Sequence, residues 1–191
     1  MSKIIGDIKF HLGMKFGHFP EEIISVDCET TGLDPKTDCI LSIGAVRIRK
    51  GKIVMKDQFH KFLKPIKDEV RKQSIAVHLI MPEEANRGIE PEKGIREFFD
   101  WAGDVPFIGY NIKFDHDILK RYRKLFLNEK TANKRMELLD IYKMNFPEKT
   151  APADSEFENI SRTLNIPPVA RHDALNDAVT VALMYINLNS R

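Results

Sequence analysis

Cysteine is scarce in this 191-residue sequence: Cys28 and Cys39 are its only two. One pair cannot build a disulfide framework, and the two lack the paired spacing of a zinc site, so a reducing compartment is expected. Long apolar runs are missing as well. No window approaches the roughly 18 apolar residues of a membrane span, and no positively charged start leads into a long apolar stretch at the N-terminus. The expected setting is cytoplasmic, without a membrane. Neither sign of charge dominates, with 30 Lys and Arg against 28 Asp and Glu, so the net +2 singles out no polyanionic partner. Internal repeats and low-complexity tracts are absent, and 42% hydrophobic residues over this length suit one globular domain.

Residues 1–21 hold Phe10, Phe16, Phe19 and His11 among glycines and lysines, without strand or helix periodicity, and read as an ordered arm lying on a domain of residues 22–191. Ile23-Ile24-Ser25-Val26 is a short apolar run ending in acidic residues and then Gly32, the pattern of a buried strand that stops near Glu29. Residues 39–49 and 52–63 are β-rich and separated by Lys50-Gly51, which predicts an antiparallel hairpin. Short helices follow Pro65, with Pro82 and Pro91 each placed to start one, the second running to about Trp101. Residues 105–109 predict a fourth strand, followed by a helix from about Phe114 whose apolar stripe is Ile118, Leu119, Tyr122, Leu125 and Phe126. A fifth strand is expected over Arg135 to Ile141 and a helix over Ser155 to Leu164. A last helix starts at the N-cap Asp173 and buries Leu175, Ala178, Val179, Ala182 and Tyr185. The fold class is α/β: a mixed five-stranded sheet, antiparallel in strands 1–3 and then parallel, flanked by helices.

Asp27 and Glu29 stand two apart on the first strand, so both side chains point to one side of the sheet. Two carboxylates so placed repel unless a cation intervenes, and hard oxygen ligands suit magnesium or manganese. Asp154-Ser155-Glu156 repeats the spacing, but in a Pro- and Ala-containing loop that reads as solvated surface.

The residues around the first pair distinguish it. Asp27-Cys28-Glu29-Thr30-Thr31-Gly32-Leu33, Asn111-Ile112-Lys113-Phe114-Asp115 and His172-Asp173-Ala174-Leu175-Asn176-Asp177-Ala178 occur in that order. With these three motifs the sequence resembles the DnaQ-like 3′–5′ exonucleases, the DEDDh branch of the RNase H-like superfamily, over roughly residues 22–189. The sibling branch has Tyr where Asp173 stands. The resemblance implies two divalent ions, Mg2+ or Mn2+, with Asp27 bridging them, Glu29 and Asp177 completing the nucleophile side, and Asp115 supporting the other. Two ions roughly 3.5–4 Å apart suit hydrolysis of an anionic diester because they neutralise charge and activate water. It also implies that His172 is the general base, a task suited to imidazole with its ordinary pKa of ~6.5.

Further implied contacts are Thr30, Thr31 and Leu33 around the terminal nucleotide, with Asn111, and Phe114 as a stacking wall that reads equally as core. His78 is a candidate substrate contact or a structural histidine. Many relatives have His-Asn where this chain has Tyr110-Asn111, which leaves the nucleotide pocket less defined than the metal ligands. Seven basic residues between 120 and 135 (Lys120, Arg121, Arg123, Lys124, Lys130, Lys134, Arg135) face only Glu129. They could guide a phosphate backbone or form a solvated face. The expected partner is a nucleic acid with a free 3′ end, single-stranded DNA or RNA, and a DNA polymerase is a further candidate because the family includes a polymerase III proofreading subunit. The ending of the sequence near its last helix points to a free-standing enzyme or one docked through its arm. The competing reading is a catalytically idle module that holds nucleic acid or a polymerase; loss of one of the five chemical residues would mark it, and all five are present.

Overall fold

The computed structural model describes residues 20–66, 80–149, 151–167 and 172–190. Most of the expected N-terminal arm, with His11 and His18, and the candidate contact His78 lie outside the described residues. The five strands among the described residues are β1 (Glu22–Thr30), β2 (Ile40–Arg49), β3 (Lys52–Phe62), β4 (Phe107–Gly109) and β5 (Arg135–Glu137). They form one sheet in the order β3-β2-β1-β4-β5, with β1–β2 and β2–β3 antiparallel and β1–β4 and β4–β5 parallel. The described helices are α1 (Pro82–Asn86), α2 (Pro91–Ala102), α3 (Ile112–Leu127), α4 (Leu138–Asn145), α5 (Phe157–Thr163) and α6 (Ala174–Asn189), with a 3₁₀ turn over Pro152–Ser155.

β1 and β2 are buried almost throughout because helices cover both sides of the sheet. Ile24, Val26 and Cys28 pack with residues of α2 and α3, while Ile23, Val46 and Ile48 pack with residues of α4, α5 and α6. Asp27 and Glu29 share the parity of Ile23 and Ser25 and so face the α6 layer. The edge strand β3 has exposed Lys52, Lys56 and Lys61, charges that discourage pairing with another chain. Lys50 and Gly51 both adopt positive φ, 49° and 70°, as a two-residue hairpin turn requires.

Three boundaries differ from expectation, and long-range contacts explain two of them. β5 ends at Glu137 and the chain enters α4 at once, instead of running as a strand to Ile141. Helix α3 starts at Ile112, two residues before the expected Phe114. One side chain does both: the Glu137 carboxylate accepts the N–H groups of Asn111 (2.9 Å), Ile112 (3.0 Å) and Leu139 (3.2 Å). It thereby satisfies donors at two helix starts that otherwise lack partners. Ser155 belongs to the 3₁₀ turn, so the next helix begins at Phe157. Leu125, expected in the buried stripe of α3, lies at its margin and is exposed, whereas Ile118, Leu119 and Tyr122 are fully buried. On α6, Ala178, Ala182 and Tyr185 are buried as expected and Leu175 and Val179 only partly, while Val181, Met184 and Leu188 are buried too. The helix is wedged between the sheet and α4 and α5, so more than one stripe is covered.

α6 lies unusually close to the sheet. A Cβ at Gly44 of β2 would stand 2.1 Å from both the carbonyl carbon of Ala174 and the nitrogen of Leu175. Gly44 is the register partner of Asp27, and two residues away along β1 the hydroxyl of Ser25 donates to the Ala178 carbonyl at 2.7 Å. Because the obstruction at Gly44 is backbone, Gly44→Ala must push the whole first turn of α6 outward. The expected cost is about 1–3 kcal/mol, read as a fall in Tm of several degrees, and unchanged thermal unfolding would show that the helix has room to spare.

Candidate active site

The site forms where β1 outruns its parallel neighbour. β4 pairs with β1 only at Ile24 and Ser25, so beyond them the β4-facing edge of β1 is left to side chains. The Ile24 N–H on that edge reaches the Pro106 carbonyl, and the Cys28 N–H, four residues on, is taken by Oδ1 of Asp115 at 3.0 Å. Asp115 comes from the first turn of α3, whose start Glu137 fixes, and it is buried. From the other layer α6 contributes Asp177, also buried. Asp173 caps that helix by accepting from the Asn176 N–H at 2.9 Å.

His172 stands just before the cap with a left-handed φ of 62°, a conformation that histidine tolerates better than most residues. Its N–H donates to Asp177 Oδ2 at 3.2 Å, and its ring is exposed. Ligand atoms of Glu29, His172 and Asp177 all lie within 4.8 Å of one another. Glu29 and Asp177 are buried beside the exposed imidazole, so the cluster opens to solvent on the histidine side.

Charge crowding shows in the ionisation of the neighbours. Burial, with the nearby Glu29 and Glu137 carboxylates adding to it, pushes Asp115 up to about 8, against the opposing pull of the Cys28 N–H and its own. The Cys28 thiol is raised by burial first and then by the charges of Asp115, Asp27 and Glu29. Burial also raises Glu137, although three N–H donors favour its charged form. A carboxylate buried and crowded as Asp115 is retains its proton in the absence of a cation. Oxygen ligands with one imidazole in reach are a donor set that fits magnesium or manganese.

The sequence model of the RNase T exonuclease family matches residues 24–185. The chain belongs to that exonuclease family. It is 29% identical over 163 residues to DNA polymerase III PolC-type of Thermotoga maritima, covering 85% of this chain and 11% of that protein. The chain therefore spans about a tenth of the polymerase's length. A solved structure of exonuclease I superposes with a TM-score of 0.78 at 19% identity, over 90% of this chain and 41% of that one. Exonuclease I of E. coli in complex with a 5cy-dA13 oligonucleotide superposes at 0.74, also at 19% identity and with the same coverage. These likenesses show the RNase H-like fold of the exonuclease domain. Among the described residues, no helix is long and apolar enough to cross a membrane.

The other candidate residues of this exonuclease domain divide by what they touch. Thr30 donates its hydroxyl to the Gly32 carbonyl at 2.7 Å, and Thr31 donates its own to Asp38 Oδ1 at 3.1 Å, so both buried hydroxyls serve the loop they begin. Leu33 is 91% exposed. Asn111 is exposed and left-handed at φ 55°, and Phe114, next to Asp115, is half-buried. The basic stretch is largely committed to structure. Arg121 donates to backbone carbonyls of the β1–β2 loop, and Arg123 pairs with Glu129 and lies 4.3 Å over the Phe99 ring. Lys124 donates to Asn128, and Arg135 approaches Asp117 at 3.9 Å. Lys120, Lys130 and Lys134 remain exposed. Asp154 of the decoy pair accepts the Ala151 N–H at 3.1 Å within the 3₁₀ turn.

Sequence reasoning missed Glu137, which holds the start of α3 and hence Asp115, and Gly44, which lets α6 carry Asp177 onto β1. Glu137 is one acid in a β-like run, with no local sign of its distant partners. The Gly44 contact had a weak signal, a glycine inside a strand pattern, which often marks close backbone approach.

The raised Asp115 has a definite pH signature. The folded protein holds this proton up to about pH 8, whereas an unfolded Asp releases it near ~3.9. The folded state thus binds the extra proton, and stability falls as pH rises from about 4 to about 8. In metal-free protein Asp115→Asn should flatten that decline and raise Tm at pH 8 by roughly 2–4 °C per kcal/mol recovered, while reducing the Tm gain from Mn2+. Wild-type and variant melting curves with the same pH dependence would refute it.

Proposed function

We propose that this chain is a 3′–5′ exonuclease that hydrolyses the terminal phosphodiester of a nucleic acid and releases nucleoside 5′-monophosphates. The observation that carries this reading is the convergence of Glu29, His172 and Asp177 within 4.8 Å, beside an Asp115 fastened to the Cys28 amide. Asp27, Glu29, Asp115 and Asp177 would hold two divalent ions, Mg2+ or Mn2+. Bound there, such ions would neutralise the phosphate charge and make water a better nucleophile at neutral pH.

Within that site His172 accepts the proton of the attacking water on a ring nitrogen. Its exposure lets the proton pass to solvent afterwards, and its backbone bond to Asp177 keeps the ring at the edge of the carboxylates. Burial of Glu29, Asp115 and Asp177 fixes their geometry before substrate arrives, so little reorganisation is needed during reaction. At the 3′ end, Leu33 presents an apolar side chain to the terminal base and Phe114 offers a stacking surface. Thr30 and Thr31 act through the backbone of their loop, since their hydroxyls are engaged inside it. Asn111, exposed at the start of α3, and His78 are further candidate contacts.

DNA is the favoured substrate class over RNA, because the polymerase III relative is a DNA polymerase and the E. coli neighbour holds a dA13 oligonucleotide. The same likeness makes a DNA polymerase the candidate protein partner.

With Mn2+ and a 5′-labelled single strand, the expected product is a ladder shrinking from the 3′ end, faster on DNA than on RNA, with Asp27→Ala inactive. A ladder from the 5′ end, or internal cuts alone, would contradict the proposal. His172→Ala should lower turnover about 10²–10⁴-fold, the usual contribution of a positioned base, yet keep most of the Mn2+-induced rise in Tm. Near-normal rates in that variant would remove the base assignment.

A further inference from the structure

The loop between β1 and β2, residues 31–39, is closed from beneath by a buried carboxylate. Asp38 is 3% exposed, and while its Oδ1 takes the Thr31 hydroxyl, its Oδ2 accepts the Asp34 N–H at 2.8 Å. Thr31 Oγ1 in turn accepts the Cys39 N–H at 2.9 Å, and the Thr31 N–H donates to the Cys39 carbonyl at 2.9 Å. Gly32 passes directly over the carboxylate, where a Cβ would stand 2.6 Å from Asp38 Oδ2.

A second tie comes from α3. Arg121 spans two carbonyls of the loop, donating from Nη1 to Lys36 at 2.8 Å and from Nη2 to Asp38. Hydrogen bonds from a guanidinium are stronger than neutral ones, and its planar fork holds two acceptors in one geometry. The loop is therefore fastened at both ends and along its back, with Leu33 exposed on it four residues beyond Glu29.

We propose that Arg121 is a positioning residue, which through Lys36 and Asp38 holds Leu33 in place for the base at the 3′ terminus. The proposal rests on the nuclease reading above. A loop ordered before binding spares the substrate the entropic cost of ordering it, so the effect should fall on substrate affinity and leave the chemistry intact. This gives Arg121 a role distinct from direct phosphate contact, in which each terminal nitrogen gives one N–H to a loop carbonyl.

The test compares Arg121→Met and Arg121→Lys with wild type in Mn2+ on two substrates: single-stranded DNA, and bis(p-nitrophenyl) phosphate, which has no base for Leu33 to meet. For Arg121→Met, KM on DNA should rise about tenfold, equivalent to ~1.4 kcal/mol, with kcat within twofold and the small diester cleaved at the wild-type rate. Arg121→Lys, able to keep one carbonyl, should fall between the two and carries the test if the methionine variant does not fold. Equal losses on both substrates would mean that Arg121 only supports the fold, and an unchanged KM on DNA would mean that the loop needs no such tie. Either overturns the proposal. Wild-type protein inactive on both substrates overturns the nuclease reading itself, and this inference with it.

Discussion

Like charges gathered in a buried place repel, and the rest of this structure is arranged around holding them together. Asp27, Glu29, Asp115 and Asp177 arrive from β1, α3 and α6, and three of the four are buried. Asp115 shows the cost: burial first, with the Glu29 and Glu137 carboxylates adding to it, raises its pKa so that the group prefers to keep its proton. Such a cluster persists only if neighbouring contacts over-determine it. Close contacts accordingly run along β1, where α6 rests on Gly44 of the neighbouring strand, Ser25 holds the Ala178 carbonyl and Cys28 donates its amide to Asp115.

Topology explains why the gathering happens at that end. β1 sits between an antiparallel hairpin on one side and the parallel strands β4 and β5 on the other. β4 is short, so the last residues of β1 keep their β2 ladder while their other edge meets the start of α3, where Asp115 takes the Cys28 N–H. In open sheets ligands gather beyond the carboxyl ends of parallel strands, where helix starts also point. Here the ends of β1, β4 and β5 bring Glu29, Asn111 and Glu137 to the same rim, and the triple hydrogen bond of Glu137 welds two helix starts to it.

How far the sequence discloses all this depends on the range of the interaction. The apolar run of β1, the Lys50-Gly51 turn and the Asp173 cap are local, and each is visible in a few neighbouring residues. The spacing of the three acidic motifs is equally legible. The length of β5 and the start of α3 are not, because both are decided by one carboxylate whose partners lie up to 26 residues away. The exposure of Leu125 follows from where the stripe of α3 meets the sheet, which helical periodicity alone does not specify. The basic run from 120 to 135 looks like a single feature in the sequence, yet its arginines are divided among a loop, an aromatic ring and acidic neighbours.

The Thr30-Thr31-Gly32-Leu33 segment shows how motif and chemistry can be separated. Thr30 bridges to the Gly32 carbonyl, Thr31 links the two ends of the loop, and Gly32 leaves room for the Asp38 carboxylate. Each of these three residues has a folding reason that would hold without any substrate. Leu33 has none: it is apolar, almost wholly in water, and carried on a loop that its hydrogen bonds keep from relaxing around it. A chain shaped by stability alone would gain from a polar residue there. The part of the motif that the fold does not require is therefore the part left in solvent, which is why the proposed function sets it against the terminal base.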